Sequence, residues 1–116
     1  MSDHRIEKLQ EEIRAVISSL ILFEVTDPLI QKIAVTHVLL TKDVGLARVY
    51  YETNATEAEK KEIQESLTKA AGFFRKLLAG KVRLRQVPQI HFFYDETSDE
   101  IQRINGLFED KSVKMS

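Results

Sequence analysis

The chain reads as an α+β domain, with helices packed on one face of a three-stranded sheet in the order α-β-β-α-kink-α-β. Three observations predict this. Apolar residues recur at three- and four-residue steps over residues 6–21 and again over 63–78, the spacing of helices that bury one stripe. Two runs rich in β-branched residues, KIAVTHVLLT and LARVYYET, flank a short glycine-containing connection, as in a hairpin. A third such run, QIHFFY, follows Pro88, and proline is tolerated where a strand begins. A length of 116 residues suits a single domain.

The first helix draws its stripe from Ile6, Leu9, Ile13, Val16, Ile17, Leu20 and Ile21, and is expected to end at Asp27-Pro28, because the residue before proline is pushed out of the helical region. In the hairpin, Gly45 is expected to take the positive φ that a tight connection needs. Alternation places Leu46, Arg48 and Tyr50 on one face of the second strand and Ala47, Val49 and Tyr51 on the other, without saying which face is buried. Thr56 and Glu59 form a capping box at the start of the next helix. Its apolar spacing runs straight through Ala70, Ala71 and Gly72. An interior glycine costs about 1 kcal/mol relative to alanine, so this triplet implies either a kink between two helices or tight packing on the sheet. Gly80 is expected to close the second half as the residue just past a helix end. Residues 3–95 form the domain. The remainder, 96–116, is expected to hold a short helix around Ile101, Ile104 and Phe108 and then a mobile tail.

Composition narrows the function. There is no cysteine, so neither a disulfide framework nor a thiolate metal site is possible. His4, His37 and His91 lack metal-ligand spacing, and no phosphate-binding glycine loop or nucleophile–base pair appears. Asp43 and Asp95 read as turn residues. The expectation is a protein that is not an enzyme and has no cofactor. No run approaches the roughly 20 apolar residues of a membrane span, and no secretion signal opens the chain, so a cytoplasmic location is expected.

The net charge of −1 hides a segregation. Between Glu65 and Asp95 the chain carries no carboxylate but has Lys69, Arg75, Lys76, Lys81, Arg83 and Arg85, a window of +6 against −7 elsewhere. Such a window can form a basic face that attracts polyanions. The candidate RNA-binding residues are Ala70, Gly72, Arg75, Lys76, Lys81, Arg83 and Arg85, with Lys42 from the hairpin turn. Guanidinium groups would grip phosphates through paired hydrogen bonds, and Gly72 would let main chain approach the sugar–phosphate backbone. Phe73, Phe92 and Phe93 are read as core. A protein-interaction module, docking through the sheet face or the acidic C-terminal segment, is the competing reading.

Four stretches in this order also resemble the bacterial ribosome-binding factor A family: Asp27-Pro28, VTHVLLTKDVGLARVYY, AAGFFR and LRQVPQIHFFYD, spread over residues 5–107. The resemblance implies a type II KH-like fold in which an Ala-x-Gly kink replaces the GXXG loop of ordinary KH domains. It also implies an assembly factor that binds the free small ribosomal subunit and its 16S rRNA; a monomer is expected. Such a factor assists late maturation and 5′-end processing, is linked to growth in the cold, and is released by a ribosome-associated GTPase. Leu29 departs from the pattern, since the family often has arginine directly after Asp-Pro.

Overall fold

The computed structural model describes residues 2–97, so the expected terminal helix and tail lie outside the described residues. Helix α1 (Ser2–Phe23) leads through a single 3₁₀ turn (Ile30–Lys32) into strand β1 (Ala34–Leu40). Strand β2 (Leu46–Glu52), helix α2 (Glu57–Lys81) and strand β3 (Gln89–Tyr94) complete the fold. The sheet order is β1-β2-β3, antiparallel between the first two and parallel between the last two. Helix α1 lies against β1 and α2 against β3, giving the expected KH-like layering of helices on one face of a mixed sheet.

The buried stripes are those the sequence spacing marks. Ile13, Ile17, Leu20 and Ile21 of α1 meet Ile63, Leu67, Phe74 and Leu78 of α2 over Val38, Ala47, Val49, Tyr51, Ile90 and Phe92 of the sheet. The inward face of β2 is therefore Ala47, Val49 and Tyr51, which leaves Leu46, Arg48 and Tyr50 facing away from the helices. Truncating a fully buried ring such as Phe74 removes about 3–5 kcal/mol.

Four local expectations are corrected. Helix α1 stops at Phe23, before Asp27-Pro28, because the chain turns to bury Val25, whose N–H bonds the Leu20 carbonyl. Helix α2 is not divided at residues 70–72. Leu67 and Phe74 sink into one core on either side of Gly72, and this shared packing keeps a single helix. Gly80 lies inside α2, and buried Val82 closes the helix with its N–H on the Leu78 carbonyl. In the hairpin the positive φ falls on Val44 (58°) rather than Gly45. Asp43 forces this arrangement: its Oδ1 accepts from Gly45 N–H and from the Thr41 hydroxyl, and a Cβ at Gly45 would stand 3.1 Å from that oxygen.

Candidate nucleic-acid interface

Topology gathers the cations. Because β2 and β3 are parallel, Leu46 pairs with Gln89, and Gln89 N–H bonds the Gly45 carbonyl at 2.9 Å. The connection over residues 82–88 therefore arrives beside the hairpin tip. Helix α2 ends at the same place, and the start of α1 is tied there by Leu40 N–H to Gln10 Oε1. Lys42, Lys81, Arg83 and Arg85, from three separate elements, thus share one end of the molecule. All four are exposed.

The connection is held rather than loose. Val82 and Pro88 are buried and Leu84 and Val87 half-buried, so Arg83 and Arg85 are turned outward between these anchors. Arg75 supplies the clamp. Its Nη2 donates to the Val87 carbonyl at 3.0 Å, and its Nε faces the Val87 and Pro88 carbonyls at 3.3 Å each. Arg75 is expected to meet phosphate; its Nε and Nη2 are engaged with the segment that carries Arg83 and Arg85, which it helps to position.

Along α2 the outward face holds Lys69, Gly72 and Lys76, separated by three and four residues and all exposed. Ala70 is turned inward and packs at the edge of the core. A Cβ built on Gly72 would meet no atom within 4 Å, so nothing inside the protein requires glycine there. Tight packing on the sheet is therefore ruled out as its reason. What remains is a bare stretch of helix backbone between two lysines. Beside it lies a hollow of about 320 Å³, lined by Lys69, Ala70 and Phe73 of α2 and by Thr26 and Asp27 of the preceding turn. Lys69 belongs to this face, although the sequence reading left it out of the site. Its seven-residue spacing from Lys76 was the available signal.

Among the described residues, Lys42, Lys69, Lys76, Lys81, Arg83 and Arg85 form no ion pair, whereas Arg14, Lys32 and Lys60 each pair with a glutamate. The acid nearest Lys42 in the chain, Asp43, is engaged by its own turn: the Thr41 hydroxyl first, then the Gly45 N–H, hold its carboxyl below the usual range. Phe73 and Phe93 are not core, at 47% and 40% exposed, while Phe92 is buried as expected. Among the described residues no group of His, Asp or Glu could hold a metal ion, and no helix is long and apolar enough to cross a membrane.

Comparison with known proteins agrees with this geometry. The family model described as ribosome-binding factor A matches residues 5–108. A curated ribosome-binding factor A from Finegoldia magna is 39% identical over 109 residues, covering 92% of this chain and 90% of that protein. The crystal structure of ribosome-binding factor A from Thermus thermophilus superposes with a TM-score of 0.68 at 25% identity, over 77% of this chain and 93% of that one. A Thermus thermophilus ribosome-binding factor A model, fitted into a cryo-EM map of a 30S–RbfA complex, matches with a TM-score of 0.56 at 25% identity, over 74% of this chain and 94% of that one. The match to the family model takes in both helices, all three strands and the whole cation-bearing segment. This chain belongs to the ribosome-binding factor A family.

Proposed function

We propose that this protein binds the free small ribosomal subunit, holding its 16S rRNA by the sugar–phosphate backbone at the hairpin-tip end and along the outward face of α2. One observation carries the reading: five of the six cations at this surface come from a window of the chain, residues 66–94, that holds no carboxylate, and none of the six pairs with one among the described residues, whereas Arg14, Lys32 and Lys60 do. Arginine and lysine contacts to phosphate position a protein without reading bases, so the target is a folded RNA shape. Gly72, with open space before it, lets backbone approach backbone. Support for the small subunit as target comes from the relative fitted into a 30S complex map. Assistance to late 16S maturation and 5′-end processing, a role in cold growth and GTPase-driven release follow from the family resemblance and belong to the same proposal.

The test is sedimentation with free small subunits over a salt series. Neutralising about five phosphates gives a slope of log K against log salt near −4. Replacing Lys76, Lys81, Arg83 and Arg85 with glutamate weakens binding on the order of 100-fold, with the far-UV CD spectrum unchanged. Arg75 stays out of this set because it holds the connection together. Salt-independent binding, or full affinity in the reversed variant, would move the interface to another face.

A further inference from the structure

The open face of the sheet, away from both helices, carries a row of rings that the core does not use. His37 lies on Tyr50 with centroids 4.4 Å apart and planes 9° from parallel, and Tyr50 continues to Phe93 at 5.6 Å and 29°. Register produces the row, since Tyr50 sits opposite His37 on β1 and Phe93 on β3. Phe93 stands on an edge strand and is 40% exposed, so its ring has Tyr50 on one side and, among the described residues, no strand on the other. The next row toward the hairpin tip is Leu39, Arg48 and His91. Arg48 and His91 are exposed, and Arg48 pairs with no carboxylate among the described residues. Beyond that row lies the hairpin tip, with Lys42 in its turn and the connection that carries Arg85 arriving beside it.

We infer that this face takes a single-stranded RNA segment, one unpaired base of which extends the ring stack on Phe93 while the adjoining phosphates meet Arg48 and the cations of the hairpin-tip end. Flat rings next to a track of positive charge are what unpaired nucleic acid binds, because every base has a stacking face and every linkage a negative charge. Charge sign selects RNA over a basic peptide, since the charged groups next to the rings on the hairpin-tip side are cationic. On the opposite side Asp95 and Glu96 bound the path, so the strand enters from the hairpin tip. The inference goes beyond the proposed backbone contacts, which need no unpaired base, and shares with them only the cationic end.

The chain has no tryptophan, so Phe93→Trp introduces a single indole reporter where the base would stack. Titrating this variant with octaadenylate quenches the indole, and the quenching at saturation persists as salt is raised while affinity falls. Measured by anisotropy of the labelled oligonucleotide, Phe93→Leu binds roughly tenfold more weakly than the unsubstituted protein, and Phe93→Tyr binds equally well. Octaadenylate binding that leaves the indole unchanged, or a leucine variant as tight as the parent, overturns the inference. So does an indole that responds to an arginine-rich peptide and not to RNA. Failure of the small-subunit proposal is read separately, because the glutamate reversals are scored on whole subunits and the indole on the oligonucleotide.

Discussion

The two ends of the molecule use charge differently. At the end where α2 begins, polar groups answer one another. Thr56 accepts from Glu59 N–H, Lys32 pairs with Glu59, and Lys60 pairs with Glu57. Asp95 takes the Thr36 hydroxyl at 2.7 Å and the Thr97 N–H at 3.0 Å. At the hairpin-tip end the backbone is equally well held, by the Arg75 clamp and the Asp43 turn, yet the cations mounted on it face solvent. The difference separates two jobs. One end uses its charges to close the fold. The other closes its backbone with one guanidinium on carbonyls and one carboxylate within its own turn, and leaves its remaining cations unpaired among the described residues, in line with the modest value of exposed pairs for stability.

The sharpest way to break this contrast is Arg75→Ala. If Arg75 is structural, the variant loses about 2 kcal/mol in chemical denaturation, the scale of charge-assisted hydrogen bonds to buried acceptors. Its small-subunit binding then falls only as far as the connection loosens. A variant of normal stability and lost binding would make Arg75 a phosphate contact after all. Next in size is Gly72→Ala. With open space before it and a helical backbone, the change stabilises by about 1 kcal/mol, raising Tm by about 4 °C. Binding to the small subunit weakens if main chain approaches RNA there, so calorimetry and sedimentation move in opposite directions. A smaller gain, about 0.5 kcal/mol, is expected for Val44→Gly, where relief of the left-handed backbone outweighs the added freedom of the unfolded chain.

The smallest effect is a slope. Hydrogen bonds from Thr36, then from Thr97, with nearby His37 adding a minor part, hold the Asp95 carboxyl below its ordinary value. A carboxyl lowered on folding contributes stability that is fully present above its unfolded value of about 3.9 and is lost as pH falls through the lowered folded value. Asp95→Asn should therefore flatten the stability profile below about pH 4 and leave its shape above pH 5 unchanged, as followed by denaturant midpoints across a pH series.

How much of this was legible depended on the range over which each feature is set. The three-to-four spacing of both helices is local and returned the right stripes, and the period-two alternation of β2 sorted its residues into two faces without saying which is buried. The same alternation puts Phe92 and Phe93 on opposite faces, so both could not be core, but the apolar neighbours argued for core and prevailed. The triplet at residues 70–72 looked like a break because propensity is local, whereas the packing that keeps α2 whole comes from the sheet. Val44 took the strained backbone because two hydrogen bonds to Asp43 set the turn, and composition does not announce them. The positioning role of Arg75 was hidden for a related reason: its carbonyl partners lie 12 and 13 residues away, across a connection whose path appears only in three dimensions. The reach from Thr36 to Asp95 depends on the register shift in β1 between Val35 and His37, which leaves no mark in the sequence. The cationic window itself was plain from counting.

The parallel pairing of β2 with β3 governs when binding competence can arise. A hairpin and its flanking helices can form from neighbouring residues, but β3 reaches β2 only after α2 has folded back across the sheet, the slow, long-range step of such a topology. The hairpin turn that holds Lys42 and the connection that holds Arg85 meet at that moment and no earlier. A chain still lacking its last strand would carry the same cations without bringing them together, so under the proposed function the attraction to RNA would be a property of the finished fold and its own check on completion.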